Sequence, residues 1–118
     1  MRAAGTKIIN SNPANTTRGL PRASGLTLLF DQDTVQVKCI MEGASISALR
    51  TAAVSMFCVV ELSKCVPRCI TVIGTGPIGK AHVELAARRF ASLERIILFD
   101  RNVSAAKSLA NFIKTEIN

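Results

Sequence analysis

The sequence predicts the α/β class, with a β-α-β-α unit preceded by a β-rich segment and a connecting helix. Three observations carry that reading. The first is the apolar, β-branched run Cys69-Ile-Thr-Val-Ile73, which leads into Gly74-x-Gly76-x-x-Gly79 and then directly into a helical pattern. The second is another apolar strand, Ile96-Ile-Leu-Phe99, which ends in Asp100, 21 residues after Gly79. The third is the texture of residues 5–41, where short apolar runs alternate with Asn, Pro, Thr and Gly.

A lone GxGxxG says little. Between a strand and a helix, with an acid at the tip of the next strand, it is the fingerprint of a dinucleotide-binding Rossmann half. Gly74 permits the tight turn, and Gly76 lets backbone N–H groups approach a pyrophosphate with no Cβ in the way. Gly79 shares a helix face with Val83, Ala86, Ala87 and Phe90, so the helix can lie close against the sheet. The free N–H groups and positive dipole end at Pro77–Gly79 then face the phosphates. Pro77 suits a first helical position, where a missing N–H costs nothing. Thr75 and Ile78 complete the loop, so the candidate cofactor-binding stretch runs through Gly74, Thr75, Gly76, Pro77, Ile78 and Gly79. The bland alternative is a glycine-rich turn that binds nothing.

The remaining elements follow in order. Lys7–Ile9 reads as a short strand, and Asn10–Arg22 as a loop. Leu26–Phe30 and Val35–Met41 read as strands joined through Asp31-Gln-Asp-Thr34. A helix is expected from about Ser45 to Lys64, with Ser45 as N-cap and Lys64 opposing the negative end of the dipole. Pro67 breaks it. Then come strand 69–73, helix 77–90, strand 95–99 and helix 104–117, the last with Ala106, Leu109, Ile113 and Ile117 at helical spacing. The two apolar strands read as parallel strands covered on both faces. Domain boundaries are expected at 1–43, 44–66 (the connecting helix) and 67–118. Because a full dinucleotide fold has two βαβαβ halves, the chain reads as an internal part of a larger protein.

Composition narrows the function classes. The 118 residues are 48% hydrophobic and only 4% aromatic, with no Trp or Tyr, so the core must be aliphatic. Mean hydropathy is +0.31. No apolar signal stands within Met1–Lys7, and the stretch Thr51–Val60 is too short to span a bilayer, which favours a buried helix and a cytoplasmic setting. The four cysteines, Cys39, Cys58, Cys65 and Cys69, form no CxxC pair, and His82 is the single imidazole; no metal site is expected. Cys58 and Cys69 read as small core residues. The net charge of +7 is dispersed, with Arg88-Arg89 the one adjacent basic pair, which argues against nucleic acid as a partner.

Several motifs together match a family. Gly5-Thr-Lys7, Asn12-Pro13, Gly19-Leu-Pro21, the hairpin at Asp31 and Ala48-Leu-Arg-Thr-Ala-Ala53 precede the fingerprint in order. The chain resembles the ornithine cyclodeaminase/μ-crystallin family. Within it, Arg18-Gly-Leu-Pro-Arg-Ala-Ser24 and Gly-x-Gly-Pro-Ile-Gly79 look most like the dehydrogenases of diaminopropionate (siderophore-type) biosynthesis. The resemblance implies that Lys7 contacts the α-carboxylate of an amino-acid or imino-acid substrate. It implies that Arg50 lies between substrate and cofactor, able to bind either, and that Thr51 lies beside the pyrophosphate. A guanidinium suits such a role because it pairs bidentately with carboxylates. The alternatives are a snorkelling surface arginine and an ordinary edge-strand lysine.

By the same resemblance the cofactor is NAD, with Asp100 on the adenosine ribose hydroxyls; Arg101 beside it can accept the 2′-phosphate of NADP, the less favoured cofactor. The alternative for Asp100 is a strand-end turn residue. The family implies a homodimer built through the β-rich domain. Its catalytic acid falls beyond residue 118, so no catalytic residue is expected in this chain. Three positions depart from the pattern. Val35 and Val37 stand where the hairpin usually has Gly and Pro, and Arg22 stands where ornithine cyclodeaminases tend to have Thr. A turn wanting positive φ is costly for a β-branched residue.

The implied activity is oxidation of an N-substituted amino acid at Cα, with hydride passing to NAD and the imine then hydrolysed to an amine and a 2-oxo acid. The alternatives are an ornithine cyclodeaminase-like lyase, a non-catalytic nucleotide-binding protein, and a gene remnant that keeps the motifs without the activity.

Overall fold

The computed structural model describes residues 4–116. Ile117, expected in the last helix, and Met1–Ala3 of the N-terminal stretch lie outside the described residues. The chain divides into two compact units, Met1–Ser47 and Ala48–Asn118.

The first unit is an antiparallel sheet in the order β1-β2-β3, built from β1 (Ala4–Ser11), β2 (Ala23–Phe30) and β3 (Val37–Glu42). β1 is longer than Lys7–Ile9, because its whole length from Ala4 to Ser11 pairs with β2, from Phe30 back to Ala23. The expected loop at Asn10–Arg22 contains a 3-10 turn at Pro13–Arg18. Asn12 caps it, its side chain accepting the Ala14 N–H at 3.0 Å, and Gly19 ends it at φ 67°.

The β2–β3 turn departs from the sequence reading in an instructive way. Val35 was expected to open a strand, yet it closes the turn at φ 60°. Its N–H donates to the Asp31 carbonyl at 3.0 Å, while the Asp31 carboxylate accepts from the N–H groups of Asp33 and Thr34. These bonds hold the backbone in the left-handed region, and a register shift at Leu29/Phe30 delays β3 to Val37.

The connecting helix, α1, runs Gly43–Leu62 rather than from Ser45 to Lys64. Glu42, not Ser45, caps it: its two carboxylate oxygens accept the N–H groups of Ala44 at 2.6 Å and Ser45 at 2.8 Å. A carboxylate also suits the positive end of the dipole, and these N–H donors hold the Glu42 carboxyl below its ordinary range. Lys64 falls outside the helix, whose last turn carries no basic residue.

The expectation that α1 is buried is not met. Ala48, Ala52, Ser55 and Val59 form its covered stripe, at helical spacing, while Phe57 (64% exposed) and Leu62 (80%) stand open. A helix apolar on every side needs neighbours on every side, and α1 has them along one stripe. At 20 residues it is also longer than the stretch Thr51–Val60, and by length and composition it could cross a membrane. Core helices meet the same criterion.

The second unit contains most of α1, then β4 (Cys69–Ile73), α2 (Pro77–Arg89), β5 (Arg95–Phe99) and α3 (Val103–Glu116). β4 and β5 pair in parallel, Val72 beside Leu98 and Ile73 beside Phe99. Coverage on both faces was expected, but each strand alternates exposed and half-buried residues. Ile70, Val72, Ile96 and Leu98 share the face packed by α2 and α3, and Ile73 and Phe99 project from the other. Val83, Ala86, Phe90 and Leu109 are the buried centre of this unit. Cys58 and Cys69, read as core residues, are exposed thiols because each lies off these covered faces.

Candidate dinucleotide-binding site

The site forms where β4 and β5 end. Gly74 sits at φ 93°, a conformation that a Cβ would oppose, and its N–H donates to the Phe99 carbonyl at 2.8 Å, closing the end of the parallel pair. Gly79 lies one helical turn into the motif against that same residue. A Cβ on Gly79 would collide with the Gly74 carbonyl oxygen and approach Val72 Cγ1 at 3.5 Å. The third glycine is therefore what lets α2 pack this closely. Around Gly76, by contrast, a Cβ would meet nothing within 4 Å.

α2 begins at Pro77, with Gly76 as N-cap, and no side chain caps it. The first-turn amides of Ile78 and Gly79 have no intrahelical acceptor, as in any helix, and the dipole adds positive potential there. An open approach at Gly76 and uncapped amides behind it fit a phosphate. These features suit the pyrophosphate of a dinucleotide.

Asp100 stands at the tip of β5. Its Oδ2 accepts both the Thr75 N–H at 2.7 Å and the Thr75 hydroxyl at 2.8 Å, and its Oδ1 accepts the Asn102 N–H at 2.8 Å. These donors hold its carboxyl below the ordinary value, the Thr75 N–H contributing most and Arg101 least. Thr75 is buried. A carboxylate has about four acceptor sites, so one on Oδ1 remains for a ligand hydroxyl. The fold therefore brings Gly74, Thr75, Gly76, Pro77, Ile78, Gly79, Asp100 and the exposed Arg101 to one end of the parallel pair.

Arg50 and Thr51 lie in the first half of α1, in the same unit. Arg50 is exposed. Lys7 belongs to the other unit, on β1 opposite Thr27, where its ammonium donates to Ser47 Oγ at 2.8 Å. Sequence reasoning passed over Ser47. It also weighed His82 only as a metal ligand, whereas the ring contacts Ile78 O and Ser55 Oγ, both at 2.8 Å. The placement of His82 four residues after Ile78 was the available signal.

A family model of the ornithine cyclodeaminase/mu-crystallin family matches residues 1–118. The chain belongs to that family. Among curated family members, it is 33% identical to the N-((2S)-2-amino-2-carboxyethyl)-L-glutamate dehydrogenase of Staphylococcus aureus, covering 96% of this chain and 37% of the relative. Among solved structures it superposes on the Δ(1)-pyrroline-2-carboxylate reductase of Thermococcus litoralis, solved with NADH and L-proline, at TM-score 0.88 and 28% identity. That match covers 98% of this chain and 35% of the reductase. A lysine cyclodeaminase, studied for its recognition of L-lysine, L-ornithine and L-2,4-diaminobutyric acid, matches at TM-score 0.79 and 27% identity, over 91% of this chain and 31% of its own. The chain thus spans about a third of the length of these relatives. Its kin in the family are nicotinamide-dependent dehydrogenases and reductases together with cyclodeaminases.

Proposed function

We propose that this chain carries the first half of the dinucleotide-binding domain of an NAD-dependent oxidoreductase acting at the Cα of an amino or imino acid. The observation that carries the reading is the loop from Gly74 to Gly79, open at Gly76 and anchored by Asp100. The first-turn amides of α2 would take the pyrophosphate, with Thr51 beside it. Asp100 would offer its remaining Oδ1 site to an adenosine ribose hydroxyl, which favours NAD over NADP. Bound nicotinamide supplies hydride transfer. Lys7 and Arg50 would hold the substrate carboxylate, so that binding energy orients the Cα–H instead of leaving it to chance.

Within that class we assign the substrate to N-substituted amino acids of the diaminopropionate type, oxidised to an imine that water cleaves into an amine and a 2-oxo acid. The similarity to the Staphylococcus aureus dehydrogenase supports this finer reading, as do the residues Arg18–Ser24. The second reading is a cyclodeaminase, favoured by the likeness to the lysine enzyme and opposed by Arg22.

Titration of the chain with NADH, followed by nicotinamide fluorescence, tests the cofactor. Saturable binding is expected, weaker for NADPH, and no saturable change overturns the reading. In the protein containing this chain, an N-carboxyalkyl amino acid should drive NAD reduction with release of a 2-oxo acid. Formation of proline and ammonia from ornithine, with no net reduction of NAD, would select the cyclodeaminase reading instead.

A further inference from the structure

Helices α1 and α2 meet at a polar contact that the dinucleotide fingerprint does not require. His82 Nδ1 lies 2.8 Å from Ile78 O, and its Nε2 lies 2.8 Å from Ser55 Oγ. The Ser55 hydroxyl in turn reaches the Thr51 carbonyl at 3.2 Å. The four residues form one chain of contacts, from the first turn of α2 to the turn of α1 that follows Arg50.

Counting protons shows how specific this chain is. The Ile78 and Thr51 carbonyls can only accept, and the serine hydroxyl has a single proton to donate. A neutral imidazole with its proton on Nδ1 bonds Ile78 O and leaves Ser55 to serve either Nε2 or Thr51 O. With the proton on Nε2, the ring and the serine satisfy the α1 side, but Nδ1 then opposes the Ile78 carbonyl with a lone pair. The form protonated on Nδ1 therefore joins the two helices, with Ser55 donating to Nε2 in place of the Thr51 carbonyl. The contact is half-buried, where a hydrogen bond counts for more than it does in water.

We propose that His82, with Ser55, is a positioning residue for the dinucleotide loop. It fixes the first turn of α2, where Ile78 and Gly79 present their amides, relative to the Arg50–Thr51 turn of α1. It touches neither cofactor nor substrate, and it acts through the geometry of those two turns. The proposal rests on the dinucleotide reading for its consequence, and on the hydrogen bonds alone for its structure.

The test has two parts. In the ligand-free chain labelled with ¹⁵N, Ser55→Ala should shift the His82 ring nitrogens and the amides of Thr75, Gly76 and Gly79, which lie in another element. Unchanged amides in the loop would overturn the proposal, whether or not NADH binds. In NADH titrations, His82→Leu and Ser55→Ala should each weaken binding about three- to tenfold, the range expected for one net hydrogen bond. The double variant should lose no more than one single, since each breaks the same link. Ser55→Thr, which keeps the hydroxyl, should restore affinity. A lower melting temperature with unaltered affinity would assign His82 to packing alone and overturn the positioning role. An unmodified chain that fails to bind NADH would refute the cofactor reading, and the loop amides would still decide the positioning claim.

Discussion

Asp100 grips Thr75 twice, through the backbone N–H at 2.7 Å and the hydroxyl at 2.8 Å. The acid at the tip of β5 is thus a structural anchor for the loop after β4 before any ligand arrives. One carboxylate oxygen fixes the loop, while the other, held by Asn102, keeps a free acceptor site. The anchor occupies Oδ2, so it is compatible with the ribose contact proposed for Oδ1.

The anchor makes the second unit sensitive to acid. The Asp100 carboxyl is held below its ordinary value of 3.8, so its contribution is complete above that pH and is lost as the pH falls through the lower folded value. Glu42 and Asp31 act in the same direction in the first unit. Thermal denaturation from about pH 6 down to about pH 2 should show stability falling below about pH 4. Asp100→Asn should flatten the part of that fall reported by probes in the second unit. An unaltered profile would contradict the anchor.

The glycines separate folding from binding. Gly79→Ala should destabilise the β4–α2 packing by about 2 kcal/mol or more, because its Cβ meets the rigid Gly74 carbonyl. Gly76→Ala finds open space, so its melting temperature should stay within about 2 °C of the unmodified chain. Its NADH affinity should nonetheless fall, since the methyl occupies the approach to the amides. Calorimetry and fluorescence titration on the same samples check both statements.

Val35 is a stability defect in the β2–β3 turn. A β-branched residue at φ 60° is strained by about 1–2 kcal/mol, partly offset in glycine by greater backbone freedom in the unfolded chain. Val35→Gly should therefore stabilise by about 0.5–1 kcal/mol, visible as a higher urea midpoint with an unchanged slope. Val35→Asn should gain a similar amount. A loss in both variants would mean that the Val35 side chain, 74% exposed, stabilises the turn in a way its surroundings do not suggest.

On the proposed reading, Arg50→Ala in a full-length protein carrying this chain should raise KM for an amino-acid substrate about 10- to 100-fold, as expected for a lost charge-assisted pair. Lys7→Met should do the same with little effect on NADH affinity. Unchanged steady-state kinetics in both would remove them from the substrate site.

Much of this molecule was legible in its residues because the rules involved are local. Apolar runs bounded by glycine and proline located β4, α2, β5 and α3 to within a residue or two at each end. The spacing of Gly74, Gly76 and Gly79 marked the turn after β4. Each of these follows from what a residue does to its own backbone or to the next helical turn.

The tertiary structure decided the rest. Asp100 meets Thr75 across 25 residues, His82 meets Ser55 across 27, and Lys7 meets Ser47 across 40. Nothing in a window of one helix or one strand specifies such a partner. Coverage was equally out of reach: apolar content announced that β4, β5 and α1 have faces to bury, but which faces are covered depends on where neighbouring elements lie. The sequence by itself determined the elements and the glycine-rich loop between β4 and α2, through backbone sterics and periodicity. Only the packing of distant segments determined which side chains hold that loop in place.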